Sequence, residues 1–327
     1  MEQLFYLPAT GDGKDRTGEI RQMLCEHGTC QLGSGTYVVS GIDMPDGTSL
    51  MGVGNATKLL LEESLQEGYA VKLGSFCTVK DLSLLGASEP VQAPAEVGTR
   101  HGILFAGTAT IQDRGDPPRN SVVHGCFADG FTGGGITCID TGYGSNCALT
   151  VSDCHLTNCG AGINISHFSE YHKFTNVLCW KCLYGCINNG GNNVFVNCGF
   201  TSNGTGFLID NAHGQSNNNS HGSAVGCTFN HNGNNKGIGI QILGATSGFV
   251  FSGGQMFFSK IVVENSVGII FDAMNYGSAV EIFVKGGVLT MFTNSVFRTA
   301  PVPISVEDNS LVKFINCYAR DGQEITV

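Results

Sequence analysis

The sequence has few charged residues and few prolines. Only 13% of its 327 residues are charged, and 8 are proline. Because proline is scarce and the glycines follow no three-residue period, a collagen triple helix is excluded. Long stretches rich in Ala, Glu and Lys are missing, which excludes a coiled coil. No run of about 18 uncharged apolar residues predicts a membrane span. The opening MEQLFYLPATGDG has no basic region before an apolar run, so we expect no signal peptide.

Positive charge is scarce as well. The 17 Lys and Arg residues are outnumbered by 27 Asp and Glu residues, and the formal net charge is −10. Phosphate binding needs clustered Lys and Arg, and a negative surface opposes binding to anionic membranes. We therefore predict neither a nucleic acid nor a membrane as a partner.

Glycine and cysteine, by contrast, are abundant. The chain has 47 glycines and 14 cysteines, and its glycine content is about twice the usual value of roughly 7%. This composition predicts many short strands joined by tight turns. In a long chain without a secretion signal, the cysteines are interpreted as reduced, buried thiols. We expect synthesis in a reducing cytoplasm.

A repeat centred on cysteine runs through much of the chain. It consists of an apolar pair, a small or polar residue, Cys, an aromatic or apolar residue, and then Asn or Gly, as in SVVHGCFADGF from Ser121. The anchor cysteines are Cys126, Cys154, Cys179, Cys198, Cys227 and Cys317. The first five are 28, 25, 19 and 29 residues apart. Such spacing is typical of solenoid coils with loops of variable length.

A second repeat follows each anchor. It is a glycine followed by a short alternating apolar run, which is a strand signal. The copies are GGGITCID, GAGINIS, LYGCINN, GTGFLID, GIGIQIL and SVGIIFD. Together the repeats predict an all-β chain, a right-handed single-stranded parallel β-helix (a solenoid) with a short N-terminal capping helix. Its rise per coil should equal the strand spacing of about 4.8 Å. The column after the glycines would hold Asp140, Ser166, Asn189, Asp210 and Asp272.

Turn and cap positions complete the prediction of the fold. Asparagines that we expect in left-handed turns are Asn158, Asn197, Asn203 and Asn316. The segment DRTGEIRQMLCEHG predicts an amphipathic helix with Asp15 or Thr17 as its N-cap and Gly28 as its stop. We assign residues 1–60 to an N-terminal cap and the first strands, and residues 61–327 to one continuous β-helix.

The opening of the chain resembles a known superfamily. GDGKDRTGEIRQML and the following LGSGTYVVSGIDMPDGTSLMGVGNATKLLL are similar to the start of pectate-lyase-like right-handed parallel β-helix proteins. That superfamily includes polysaccharide lyases, glycoside hydrolases and phage tail spikes. The resemblance implies an oligo- or polysaccharide ligand on a helix flank or in a cleft between subunits, and a homotrimer. Later segments such as FVFSGGQMFF and VLTMFTNSVF carry more apolar residues than one core needs, which also favours a trimer.

Three inserted segments and one column carry the candidate site residues. The predicted catalytic residues are Asp113, Asp116, Asp140, Glu170 and Asp210, because glycoside cleavage commonly uses paired carboxylates. The predicted substrate-binding residues are Arg114, Arg119, His167, Tyr171, His172, Lys173 and His213, because these side chains suit acid–base chemistry, sugar stacking and binding of acidic sugars. For each of these residues, an ordinary polar residue of a solvated loop is the commoner interpretation.

The chemistry itself stays open at this stage. The Gly-His-Gly and Arg-Ile-Lys motifs of polygalacturonases are missing, and no acidic cluster has clear calcium-ligand spacing. The Cys-x-x-Cys at Cys179 is too small a set for structural zinc, so we predict no metal site and no cofactor, with calcium left open. The leading hypothesis is a hydrolase or lyase that cleaves a polysaccharide. The alternatives are a non-catalytic glycan-binding or structural module, such as a tail-spike segment, and a fructan or sugar transglycosylase or isomerase.

Overall fold

Three long parallel sheets, here called A, B and C, make up almost all of the regular structure. The computed structural model describes residues 5–89, 91–106, 119–139, 147–211, 220–299 and 301–326. Within these ranges the sheets have 13, 12 and 11 strands, and one helix, α1, spans Thr17–His27. None of the described helical segments is long and apolar enough to cross a membrane. This architecture confirms the predicted parallel β-helix.

The strands are numbered in chain order. Sheet A contains β1 Tyr6–Leu7, β2 Thr29–Leu32, β5 Ser49–Met51, β8 Thr78–Lys80, β11 Val122–His124, β14 Thr150–Ser152, β17 Lys173–Thr175, β20 Asn193–Val196, β23 Gly222–Val225, β26 Phe249–Ser252, β29 Ile269–Asp272, β32 Thr290–Thr293 and β35 Val312–Ile315. Sheet B contains β3 Gly35–Val39, β6 Thr57–Leu61, β9 Ser83–Leu85, β12 Phe127–Asp129, β15 His155–Thr157, β18 Leu178–Trp180, β21 Gly199–Thr201, β24 Thr228–Asn230, β27 Gln255–Phe257, β30 Asn275–Tyr276, β33 Val296–Phe297 and β36 Tyr318–Ala319. Sheet C contains β4 Ile42–Asp43, β7 Gly68–Lys72, β10 Arg100–Ala106, β13 Gly134–Ile139, β16 Ala161–Ile165, β19 Tyr184–Asn188, β22 Thr205–Asp210, β25 Ile238–Leu243, β28 Lys260–Glu264, β31 Glu281–Lys285 and β34 Ile304–Glu307.

Each coil contributes one strand to each sheet, in the order A, B, C. From β5 onwards each strand pairs in parallel with the strand three places later, as β14 does with β17 and β15 with β18. Inward residues of equal position therefore stack along the axis. Phenylalanines show this directly in sheet A, where the ring centroids of Phe271 and Phe292 are 4.8 Å apart and those of Phe292 and Phe314 are 4.7 Å apart. These distances match the expected strand spacing of about 4.8 Å.

The cysteine column lies where the chain passes from sheet A to sheet B. Cys126, Cys154, Cys198 and Cys227 are buried there. In sheet C, burial raises the pKa of the Cys138 thiol of β13. One member of the predicted column is wrong. Leu156 of β15 pairs with Cys179 of β18, so Val177 occupies the anchor position and Cys179 lies two residues further on. Both positions face inward, and a thiol fits either.

Where sheet B passes into sheet C, buried asparagine side chains accept hydrogen bonds from the backbone of the neighbouring coil. Asn203, which we expected in a left-handed turn, is one of them. The backbone N–H of Cys182 donates to Asn203 Oδ1 at 2.9 Å, and that of Asn203 donates to Asn232 Oδ1 at 2.9 Å. Asn203 and Asn232 are both buried. Asn158, Asn197 and Asn316 do adopt the predicted left-handed conformation, whereas Asn203 does not.

Helix α1 covers the first coil. Its Ile20 and Leu24 are buried, and Gly28 ends it in the left-handed conformation, as predicted. The N-cap is Arg16, not Asp15 or Thr17. Asp15 lies one residue earlier and still accepts a hydrogen bond from the backbone N–H of Thr17 at 2.8 Å.

Candidate functional site

The passage from sheet C to sheet A, here called the C–A corner, collects the inserted segments. Residues 107–118, 140–146 and 212–219 each connect a sheet C strand to a sheet A strand, and so does the segment 166–172. Of these four segments, 166–172 lies within the described residues. Outside the described residues lie Asp113, Arg114, Asp116, Asp140 and His213.

A short backbone ladder sets the geometry of this corner. Single parallel bridges join Arg119 to Cys147, Cys147 to Glu170, and Glu170 to Gly191 on successive coils. The backbone N–H of Tyr171 donates to the carbonyl of Gly191 at 3.2 Å, and that of Ala148 donates to the carbonyl of Glu170 at 3.1 Å. Glu170 is therefore fixed between the coils below and above it.

Buried neighbours on both sides hold Glu170 in place. Ser169 is buried, and its hydroxyl donates to the carbonyl of Cys138 at 3.2 Å. His172 is also buried: its backbone N–H donates to Asn193 Oδ1 at 2.9 Å, and its Nδ1 accepts from the N–H of Leu149 at 3.1 Å. The segment is anchored to the coil interior at two points that flank the glutamate.

The prediction that His172 binds substrate is wrong. Its side chain has no solvent exposure, and its ring packs edge-on against Phe105 and Phe174. Desolvation lowers the pKa of His172 to about 3, because the buried imidazolium would lose its hydration. His172 is a neutral structural residue that positions Glu170.

The side chains of Glu170 and His221 point into the same space beside Gly191. A Cβ at Gly191 would lie 2.6 Å from His221 Cε1, 3.0 Å from His221 Nε2 and 3.1 Å from Glu170 Oε1. Both side chains therefore converge on the space that the missing side chain leaves open. Both are described, and no hydrogen bond or ion pair joins them, so a gap separates the two polar groups. Glycine is the one residue that leaves this space empty.

Other predicted residues surround this pair. Tyr171 is 55% exposed, with φ of 60°, and Lys173 is exposed at the start of β17. The His167 ring packs at a tilt against Phe168, with ring centroids 3.8 Å apart. Arg119 lies two coils from Glu170 on the bridge ladder. The corner thus brings Arg119, Glu170, Tyr171 and Lys173 to one edge.

The second predicted carboxylate lies further away. Asp210 ends β22, where its backbone N–H donates to Asn189 Oδ1 at 2.8 Å. Its coil is two coils from that of Glu170, which is roughly 10 Å along the axis at the usual strand spacing. Paired carboxylates in retaining enzymes are about 5–5.5 Å apart. Asp272 is not in this column at all, because it belongs to sheet A and lies between Ser252 and Thr293.

Sequence reasoning missed an aromatic row on the outer face of sheet B. Phe127 and His155 have ring centroids 5.4 Å apart, and those of His155 and Trp180 are 6.3 Å apart. Trp180, the only tryptophan, is 36% exposed, and Lys181 Nζ lies 4.1 Å from its ring centroid. Exposed aromatic rings are the surfaces on which sugars stack. The sequence feature that could have indicated this row is the single tryptophan, which lies within one of the cysteine-centred repeats.

The described residues contain no group of three or more His, Cys, Asp or Glu side chains that could hold a metal ion. All fourteen cysteines lie within the described ranges and none forms a disulfide. The thiols at Cys179 and Cys182 are buried in the core.

Comparison with known proteins gives a fold rather than a close relative. No family model matches the sequence. No curated protein matches it either. Among solved structures, the A-module of the Azotobacter vinelandii mannuronan C-5 epimerase AlgE4 superposes with a TM-score of 0.69 at 14% identity, covering 95% of this chain and 93% of that one.

Phage proteins superpose as well. The N-terminal fragment of bacteriophage phi29 gene product 12 gives a TM-score of 0.65 at 14% identity, covering 95% of this chain and 65% of that one. The enzymatically active domain of bacteriophage CBA120 tailspike protein 2 gives 0.55 at 14% identity, covering 97% of this chain and 47% of that one. This chain therefore spans about half of that tailspike domain. These structures share the parallel β-helix fold of this chain.

Proposed function

We propose that this chain is a carbohydrate-active enzyme that cleaves an acidic polysaccharide at the C–A corner. The observation that carries the proposal is the convergence of Glu170 and His221 over Gly191. A carboxylate and an imidazole separated by a gap are suited to proton transfer on both sides of a bound sugar. The mannuronan C-5 epimerase modules and the enzymatically active tailspike domain share this fold, which supports a polysaccharide as the substrate.

The geometry favours a lyase over a hydrolase. Hydrolysis commonly uses two carboxylates, about 5–5.5 Å apart in retaining enzymes and about 6.5–9.5 Å apart in inverting ones, whereas the group that converges with Glu170 over Gly191 is the imidazole of His221. In elimination, the Glu170 carboxylate removes the proton from the sugar carbon next to the substrate's carboxylate. That electron pair forms a carbon–carbon double bond as the glycosidic carbon–oxygen bond breaks. Protonated His221 then donates a proton to the leaving oxygen.

Nearby cations would stabilise the charge that develops. Negative charge grows on the substrate's carboxylate when the proton is removed, and fixed positive groups lower the energy of that state. Lys173 is exposed three residues after Glu170, and Arg119 lies on the same bridge ladder. If the proton returns to the opposite face instead, the outcome is epimerisation without cleavage, the isomerase alternative.

The test compares variants on a panel of acidic and neutral polysaccharides. Reducing ends, the ultraviolet absorbance of an unsaturated product, and sugar configuration by NMR separate hydrolysis, elimination and epimerisation. We expect E170Q and H221Q each to lose about 10²- to 10⁴-fold in kcat. G191A should lower kcat with little change in melting temperature, because its Cβ meets only the ends of two flexible side chains.

The matched control is E264Q. Glu264 ends β28 at the same C–A corner, and it is half-buried like Glu170. Full activity of E264Q beside inactive E170Q would support the site. Full activity of both E170Q and H221Q on a cleaved substrate would refute it.

A second candidate function is binding without cleavage, which the aromatic row on sheet B favours. A sugar chain on this face would lie against Trp180, near Phe127 and His155. This function suits a phage virion component that attaches to a surface glycan. We expect W180A to weaken polysaccharide binding by about 5- to 150-fold, which corresponds to about 1–3 kcal/mol for loss of an aromatic stacking partner.

The control for this binding is L178A. Leu178 is on the same strand and is equally exposed at 36%, but it has no ring. Equal losses in W180A and L178A would contradict the stacking role of Trp180.

A further inference from the structure

Two arginines lie side by side near the last coil, on the outer face of sheet B. Strand β33 pairs with β36 through Val296↔Tyr318 and Phe297↔Ala319. Arg298 and Arg320 follow these pairs directly and so take equivalent positions on adjacent coils, about 4.8 Å apart along the axis. Both are exposed.

Among the described acidic residues, none forms an ion pair with either guanidinium. Among the described residues, the ion pairs of the chain involve other cations, such as Lys260 with Glu281 at 2.7 Å. The nearby Asp272 carboxylate accepts hydrogen bonds from the hydroxyl of Thr293 at 2.6 Å and from Asn294 Nδ2 at 2.9 Å instead. In a chain with net charge −10, two adjacent unpaired arginines repel each other, and an anion between them would remove that repulsion.

One of these arginines is pre-positioned. Arg298 Cζ lies 5.2 Å from the ring centroid of Phe257. The Phe257 ring in turn lies across Gly277, where an added Cβ would clash with Phe257 Cδ1. Because Gly277 allows the ring to lie there, the guanidinium stacks on a fixed aromatic face and loses less freedom when it binds an anion.

The two arginines line an open groove of about 620 Å³. The groove also includes Asn275 and Asn294, whose amides can hydrogen-bond hydroxyl groups, and Val296. Val296 is 49% exposed and Tyr318 beside it is 43% exposed. A cationic pair next to amides and an apolar–aromatic face matches the mixed surface of a sugar acid.

We propose that this groove binds a carboxylate-bearing unit of an acidic polysaccharide, with the carboxylate between Arg298 and Arg320 and the sugar ring against Val296 and Tyr318. Guanidinium forks bind carboxylates through two parallel hydrogen bonds. The groove lies on a different sheet from the C–A corner, and five coils separate Arg298 from the coil of Glu170. It is an additional binding site that does not require chemistry at the corner.

The experiment measures binding by the full chain carrying E170Q, so that no probe is cleaved. The probes are polygalacturonate, neutral dextran of similar length and poly-L-glutamate, each titrated at fixed ionic strength by calorimetry. We expect polygalacturonate to bind and dextran to bind at least tenfold more weakly. R298Q/R320Q should weaken polygalacturonate binding about tenfold or more, the scale of a lost charged hydrogen-bond pair.

Two further variants separate geometry from net charge. R298K/R320K keeps both charges but loses the fork and the stacked plane, so it should also weaken binding, by at least about threefold. K236Q/K313Q removes two exposed charges from other faces and should change affinity less than twofold. Equal losses in K236Q/K313Q and R298Q/R320Q would overturn the proposal, as would unchanged binding by R298Q/R320Q.

The remaining outcomes are also decisive. Poly-L-glutamate binding as tightly as polygalacturonate would indicate an acidic protein segment as the occupant and would overturn the carbohydrate assignment. Failure of E170Q to reduce activity would refute the corner site alone. Loss of binding in R298Q/R320Q would still support the groove in that case.

Discussion

At the residue scale, Glu170 and His172 show what a sequence pattern can and cannot establish. The segment SHFSEYHKF marks both as candidates, because acidic, aromatic and imidazole side chains occur together in an insertion. Only the three-dimensional structure separates them, since His172 turns inward onto Leu149 and Phe174 while Glu170 stays at the edge. The partner His221 lies 51 residues along the chain, and the sequence alone could not indicate that Gly191 brings the two together.

Acid stability should depend on His172. Its pKa is about 3 in the folded chain and about 6.5 when unfolded, so between these values the unfolded state binds a proton that the folded state does not. Stability therefore rises with pH across this window and is lost as the pH falls from about 6.5 towards 3. His101, whose pKa burial lowers to about 4, acts in the same direction.

Replacing His172 with Asn should flatten that dependence. Asn keeps an acceptor for the Leu149 N–H but does not titrate, so the slope of unfolding free energy between pH 4 and 6 should fall by up to about 1.4 kcal/mol per pH unit. Urea denaturation at several pH values measures it. H124N, which alters an exposed histidine, should keep the original slope, and an unchanged slope in H172N would show that His172 is not the titrating group.

At the element scale, the repeats in the sequence determine the coils but not every register. Alternating apolar residues and turn signals predict the stacked strands, because inward side chains must meet copies of themselves on the next coil. The cysteine spacing misplaces Cys179 by two residues, since Val and Cys are similar in size and both fit the buried positions 177 and 179. Asp272 is misplaced for a related reason: strands of sheets A and C have similar apolar alternation, and only the count of strands per coil distinguishes them.

The asparagine ladder, formed by the buried Asn203 and Asn232 between sheets B and C, should contribute strongly to the free energy of unfolding. In N232L, the backbone N–H of Asn203 loses its acceptor at 2.9 Å, and the carbonyl of Phe200 loses a donor at 3.1 Å. Two buried groups left without partners should lower the free energy of unfolding by about 2–4 kcal/mol. Urea denaturation measures this loss. The control is N164L, which alters the outward face of β16 and should change the free energy of unfolding by less than about 1 kcal/mol. Equal losses would mean that the ladder has no special role.

At the scale of the whole molecule, the later coils expose more apolar surface than a solitary solenoid needs. Val288, Leu311 and Ile315 are 61%, 47% and 45% exposed. On sheet C, Val262, Phe283 and Ile304 line a mainly apolar groove of about 400 Å³ beside the ion pair of Lys260 and Glu281. Apolar patches of this kind commonly mark protein interfaces, and the open flank of a parallel solenoid suits a rotationally symmetric assembly.

We therefore predict a homotrimer, in which the outer face of sheet C from β28 to β34 packs at the threefold axis. Light scattering should give three times the mass of one chain. F283E places a charge in the sheet C groove and should produce monomers with unchanged circular dichroism, because an unpaired charge at an apolar interface is strongly unfavourable. V53E, at an exposed position near the other end of the solenoid, should remain trimeric. A monomeric wild-type chain would refute the assembly, and a trimeric F283E would place the interface on another sheet.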